Sequence, residues 1–245
     1  MAEPITAAYT ASNDATLSVS SLNLNQFVDA AAAGNTRSLE FRSNDLGQEI
    51  DLLLMFEPPK VGKLYVDLFP VVWKVISFSA TGIGSANVEY TADTGFLVPQ
   101  FVAGNRVSAS NAQPCQTGQK CTLKTNENEN GNYLTPAAPG TPKVMQCLNA
   151  TARPASIGIG FFNEAGTKIE PALVWNNIAV NSTLSVELTP KLKIYAASDY
   201  KVTELIRGDI ESPLLFDKNL IALPSFTEWT VSIDPGTGQV KIDAA

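Results

Sequence analysis

One stretch of strand-like text occurs twice in this chain, about 100 residues apart, and a repeat of that length restricts the fold to a duplicated β unit. The first copy reads Phe69-Pro70-Val71-Val72-Trp73-Lys74-Val75-Ile76, the second Glu170-Pro171-Ala172-Leu173-Val174-Trp175-Asn176-Asn177-Ile178. An apolar run ending in phenylalanine precedes each copy, Leu52 to Phe56 and Ile157 to Phe162. An alternating run through a tyrosine to an aspartate follows each, Tyr90-Thr91-Ala92-Asp93 and Tyr195-Ala196-Ala197-Ser198-Asp199.

Period-2 alternation extends beyond the repeat. Leu17-Ser18-Val19, Leu39-Glu40-Phe41, Leu64/Val66/Leu68, Leu184/Val186/Leu188 and Leu192/Ile194/Ala196 each place apolar residues on one face. Ile50 to Phe56 is apolar on nearly both faces, as a central strand is. Trp229/Val231/Ile233 and Val240/Ile242, joined by Asp234-Pro235-Gly236-Thr237-Gly238, read as a terminal hairpin. Glycines alternate with Ile157, Ile159 and Phe161, which suggests close approach of a neighbouring sheet. Helix signals are confined to 25–33, stopped by Gly34, and to 212–223, read as a helical turn or an apolar crossing.

The expected fold is therefore all-β: an antiparallel β-sandwich or barrel-like architecture built from two pseudo-repeated halves, 1–102 and 144–245. Residues 103–143, rich in Asn, Gln, Ser, Thr, Gly and Pro, read as a polar connecting loop. The halves are two domains or one compact unit. Few strands per half favour the compact unit, because small sheets bury too little surface alone.

Composition excludes several kinds of chemistry. There is no histidine among 245 residues. Ser-His-Asp and Cys-His catalysis and imidazole zinc sites are thereby removed, and any general acid or base must be a shifted carboxylate or lysine. A net charge of −7 opposes nucleic acid and anionic membrane as partners, since both are bound by basic residues. Met1-Ala2-Glu3-Pro4 lacks the basic and apolar regions of a secretory leader, so the expected location is cytoplasmic. In that setting the sequons at Asn149 and Asn181 carry no glycan, and the three cysteines are free thiols, although Cys115 and Cys121 are close enough in sequence for a disulfide.

Three constellations merit a functional reading beside a structural one. Asn126-Glu127-Asn128-Glu129-Asn130-Gly131 alternates oxygen ligands before a glycine, like the start of a calcium loop, with Asn126, Asn128 and Asn130 as metal ligands. The twelfth position is Ala137, where a calcium loop needs glutamate, so a solvated turn is the competing reading. Asp93 and Asp199 end equivalent strands and could hold a metal or begin turns. The paired tryptophans either pack sheets together or wall a ligand. A binding site would use Tyr65, Tyr90, Trp175 and Tyr195 as walls. The unduplicated parts, 103–143 and the tail beyond Tyr200, are where specialisation is expected.

Val72-Trp73-Lys74-Val75-Ile76, the stretch from Leu173-Val174-Trp175 through Ser198-Asp199-Tyr200 to Leu205-Ile206-Arg207-Gly208, and Trp229-Thr230-Val231-Ser232-Ile233-Asp234-Pro235 resemble a family of β-rich proteins from mushroom-forming fungi. That family includes a pink chromoprotein of oyster mushrooms. The resemblance covers about half of the chain through hydrophobic, structural motifs. It implies a non-enzymatic protein carrying a non-covalent indolone-type chromophore, and no pigment contact of the family maps onto a residue here. The leading expectation is a binding protein for a small planar ligand. The alternatives are a lectin-like or defence module and a carboxylate-metal enzyme. Exposed sheet edges leave room for a homodimer.

Overall fold

The computed structural model describes residues 36–245 except 61, 103, 104 and 129. The strand expected at 17–19 and the helix expected at 25–33 lie outside the described residues. The described chain is nearly all β, with one 3-10 turn at Leu220–Ala222. In chain order the strands are β1 (Thr36–Asn44), β2 (Ile50–Phe56), β3 (Leu68–Pro70), β4 (Lys74–Phe78), β5 (Ile83–Thr91) and β6 (Thr94–Val102). Then come β7 (Arg106–Pro114), β8 (Gln119–Thr125), β9 (Asn132–Leu134), β10 (Ala138–Pro139), β11 (Met145–Asn149) and β12 (Ala155–Phe162). The last are β13 (Ile169–Ile178), β14 (Thr183–Val186), β15 (Lys191–Ala196), β16 (Leu214–Asn219), β17 (Phe226–Ile233) and β18 (Val240–Ala244).

These strands build four sheets, ordered β18-β17-β1-β5, β10-β8-β11-β14, β3-β13-β12-β6-β7 and β16-β15-β2-β4, with β9 beside β8. Pairing is antiparallel except for β1 with β17 and β8 with β11. The sheets pack into a sandwich-like body, and among the described residues none closes into a barrel.

Residues 103–143 are not a connecting loop. They supply β7, most of a sheet edge, and β8 to β10. Their polar alternation is that of strands with one wet face: Val107, Cys121, Leu123 and Leu134 point inward while Ser108, Lys120 and Lys124 stay exposed or partly so. Sparse large apolar residues hid the pattern. The Leu64–Leu68 alternation also fails to form a strand. Lys63 O accepts from the N–H groups of Val66, Asp67 and Leu68, which closes a turn, and Tyr65 sits at φ +61°. The segment 212–223 is strand β16 followed by the 3-10 turn.

The repeat survives as local structure. β2 pairs with β4 and β12 pairs with β13, both antiparallel, and the two copied segments lie side by side through Leu68↔Trp175 and Pro70↔Leu173. The runs that follow diverge. β5, with Tyr90, pairs with β1, whereas β15, with Tyr195, pairs with β2.

A single apolar core runs through all four sheets. At its centre Phe56 meets Phe161, Trp73 and Tyr90 with ring centroids 4.5, 5.0 and 6.0 Å apart, and Tyr90 meets Phe161 edge-on at 4.9 Å. This cluster ties β2, β5 and β12, which belong to three different sheets. A second set, Phe41, Phe216 and Trp229, joins β1 and β17 to β16. Two smaller apolar layers cover outer faces. One, with Val174, Leu97 and Leu205, lies on β13 and β6; the other, with Leu53, Met55, Val72 and Ile206, lies on β2. The adjacent Leu205 and Ile206 thus cap different sheets. β2 is buried on both faces, as its continuous apolar text requires.

Gly160 marks a close approach, though by a strand of its own sheet. A Cβ there would lie 2.2 Å from Glu170 O on β13, beside a register shift between Ile159 and Gly160. Gly160→Ala must displace backbone, and overpacking of this kind costs roughly 1–3 kcal/mol. The expected outcome is a lower urea midpoint with an unchanged slope; an unaltered midpoint would show that the bulge absorbs the methyl group.

Candidate ligand cleft

The outer layer on β2 does more than cover it. Leu53 and Met55 alternate outward from β2, and Tyr195 of β15 pairs directly with Leu53. Tyr65, delivered by the turn before β3, and Ile210, from the segment after Tyr200, pack on the same layer. Between them opens a cleft of about 760 Å³. Met55, Leu188, Ile210, Tyr65 and Tyr195 give it apolar and aromatic walls, while Glu57, Lys193 and Asp209 give it polar ones. A volume of this order suits a small ligand, and apolar walls with polar groups set among them can hold and orient one.

The polar groups are held by charge. Lys193 Nζ lies 2.8 Å from Glu57, and Lys191 bridges Glu57 at 3.5 Å and Asp217 at 2.9 Å. The hydrogen bond from Lys193 is the main reason the Glu57 carboxyl titrates below its ordinary range. Burial pushes the Tyr65 phenol up to about 12, helped by its hydrogen bond to the Asp209 carboxylate. Burial likewise raises Tyr195. Both phenols are therefore neutral at physiological pH.

Tyr65 reaches this position through an uncommon backbone. Its φ of +61° lies in the left-handed region, which costs a non-glycine residue roughly 1–2 kcal/mol. The surrounding turn holds it there: Tyr65 N donates to Leu68 O at 2.8 Å, and Asn176 N donates to Asp67 O at 2.8 Å from β13. Strained residues held by their surroundings concentrate at sites that do work.

The four aromatic residues expected as ligand walls separate into two pairs. Tyr65 and Tyr195 share the cleft. Tyr90 and Trp175 do not line it, because both are core residues with 2% and 3% of their surface exposed. Tyr90 belongs to the Phe56/Phe161 cluster, and burial raises its phenol strongly. Trp73, also 2% exposed, donates its indole N–H to Glu170 at 2.7 Å, and Lys74 binds the other oxygen of that carboxylate at 2.5 Å. The tryptophans therefore pack sheets together. A smaller cleft of about 290 Å³ beside Glu170 is polar, and its central carboxylate is already occupied by these two donors.

The expected metal ligands do not assemble. Asp93 lies in the turn between β5 and β6, where its carbonyl accepts from Phe162 N. Asp199, at φ +71°, turns the chain after β15 in another sheet. Asn126 and Asn130 spend their side-chain oxygens on each other: Asn130 N and Nδ2 of Asn126 close the β8–β9 turn at 3.1 and 2.5 Å, and Asn128 is exposed. Among the described residues no group of three or more Cys, Asp or Glu is arranged to hold a metal ion. Asn149, one of the two sequon residues, is fully buried and donates to the carbonyls of Ile178 and Arg153, so it is a structural tie.

The three cysteines converge inside the core as free, fully buried thiols. Cys121 and Cys147 are register partners on β8 and β11. Hydrogen bonding from Cys121 lowers the Cys115 thiol and raises that of Cys121, while burial pushes Cys147 up to about 12.

No family model, curated protein or solved structure gives a match to the chain. Among the described residues no helix is long and apolar enough to cross a membrane. The class that fold and site define together is an all-β, sandwich-like protein with a tyrosine-walled cleft.

Part of this site was legible in the sequence. Tyr65 and Tyr195 were named as walls together with Tyr90 and Trp175, and nothing in the sequence separated the two pairs. Met55, Leu188, Lys193, Asp209 and Ile210 were missed. Their one trace was β2: a strand apolar on both faces needs a second cover, which the tail beyond Tyr200 provides.

The raised groups make a prediction for alkaline pH. Burial holds the protons of folded Tyr65 and Cys147 up to about 12, whereas the unfolded chain releases them near the ordinary phenol and thiol values of 10.0 and 9.0. Unfolding then releases protons, so this contribution is complete below about pH 9 and is lost as pH rises towards 12. Urea midpoints should fall steadily over that window, and Cys147→Ala should flatten the early part of the fall. A midpoint constant from pH 9 to 12 would contradict the assignment.

Proposed function

We propose that this protein is a non-enzymatic binding protein for a small planar aromatic ligand seated in the Tyr65/Tyr195 cleft. The observation that carries the reading is the meeting of these two tyrosines, from distant parts of the chain, on one cleft of about 760 Å³ with mixed apolar and charged walls. Aromatic side chains favour stacked or edge-on contact with a flat ring. Asp209 and the Lys193–Glu57 pair supply polar anchors at its margin. The absence of histidine supports binding over catalysis. The resemblance to the mushroom chromoprotein family supports a pigment, an indolone-type chromophore held without a covalent bond, in a cytoplasmic protein. A lectin-like reading has one observation in its favour, the Tyr65–Asp209 pair, since sugars stack on an aromatic face and donate hydroxyls to a carboxylate.

Protein purified from its natural source should carry an extractable ligand that absorbs at longer wavelength than tryptophan or tyrosine. Tyr65→Ala with Tyr195→Ala should weaken its rebinding by at least tenfold, roughly 1.4 kcal/mol, without altering the fold. A colourless preparation with nothing extractable overturns the pigment reading. A glycan array with a stacked-sugar binder would replace it with the lectin reading.

A further inference from the structure

The turn Gly62–Asp67, which carries Tyr65 into the cleft, combines three unusual features. Tyr65 holds φ +61° and Gly62 holds φ +104°. Leu64 and Val66 expose 40% and 62% of their surface although both are large and apolar. Beneath the turn, the indole N–H of Trp175 is buried and has no hydrogen-bond acceptor among the described residues. The other two tryptophans are satisfied, Trp73 by Glu170 and Trp229 by Thr227 Oγ1 at 2.9 Å. An orphaned buried donor is rare and calls for a physical explanation.

The three features share one location. A Cβ built on Gly62 would lie 3.5 Å from Trp175 Nε1 and 3.6 Å from Leu68 Cβ, so Gly62 is the backbone directly over the orphaned donor. Glycine is the residue that crosses between left- and right-handed φ at little cost. Rotation of the peptide plane at Gly62 is the nearest backbone change available to this donor, 3.5 Å from the Cβ position of Gly62. The same rotation moves Leu64 and Tyr65, both cleft-lining residues, relative to Tyr195 and Ile210.

We infer that the Gly62–Asp67 turn is a two-state lid on the ligand cleft, and that the Trp175 indole N–H is the latch that pairs with the turn in its second state. In the state described here Leu64 and Val66 face solvent and the latch is open. In the other state the carbonyl at Gly62 accepts from Trp175 and the apolar side chains fold over the cleft. The device rests on the reading of the cleft as a ligand site, but its mechanics belong to the free protein and are tested without ligand.

The protein labelled with 15N-tryptophan gives one indole N–H signal for each of Trp73, Trp175 and Trp229. Relaxation dispersion should show microsecond-to-millisecond exchange at Trp175 and none at Trp229. Gly62→Ala penalises the positive φ and should move the Trp175 proton downfield, towards the hydrogen-bonded position. Tyr65→Gly relieves strain in the present state and should suppress the exchange. Opposite responses in the two folded variants establish the lid. A Trp175 signal free of exchange in the parent, or one that Tyr65→Gly leaves unchanged, overturns it even if Gly62→Ala does not fold. A cleft that takes no ligand would end the functional proposal and leave this result standing.

Discussion

The structure depends on four rings meeting at one point. Phe56, Trp73, Tyr90 and Phe161 come from both halves of the chain; Phe56, Tyr90 and Phe161 lie on strands of three sheets, and Trp73 immediately precedes β4. Rings at these distances and tilts add attraction beyond the area they bury, about 0.5–1.5 kcal/mol per pair. Their larger effect is geometric, because one cluster fixes the relative positions of β2, β5 and β12 together. The Trp73–Glu170–Lys74 contacts extend the tie to β13 at its margin. With the inner face of β2 committed to this cluster, its outer face must find separate cover, and that cover is where the cleft forms.

The cleft is thus a consequence of a doubly buried strand. Leu52, Leu54 and Phe56 enter the main core while Leu53 and Met55 face outward. The cover is assembled from a turn before β3, from β15 and from the tail beyond Tyr200. They bury Leu53, Met55, Val72 and Ile206 and leave the cleft between Tyr65, Tyr195 and Ile210. Lys191, Lys193, Glu57 and Asp217 beside it are arranged in ion pairs.

The sequence foretold the strands β2, β4, β12 and β13, the core role open to both tryptophans, and the terminal hairpin, because all of these follow from local alternation. It misled at Tyr90 and Tyr195. Their neighbouring residues are alike, yet β5 joins β1 and β15 joins β2, and strand partners are decided by long-range packing that a local pattern does not encode. Residues 103–143 were misread for a related reason. A strand with a wet face and small inward residues such as Cys121 has too little apolar contrast to stand out from a loop. Asp209 and Lys193 are ordinary surface charges in sequence, and only the fold sets them beside Tyr65 and Tyr195.

The central claim is that Trp73, Trp175 and Tyr90 are scaffold and that the cover over β2, with Tyr195, holds the ligand. The most direct measurement is a crystal structure of protein isolated from its natural source. The account expects flat electron density between the Tyr65 and Tyr195 walls, with Trp73 and Tyr90 still packed against Phe56. A ligand lodged against Tyr90 or Trp175 in the core, or a cleft filled by solvent alone, would contradict it.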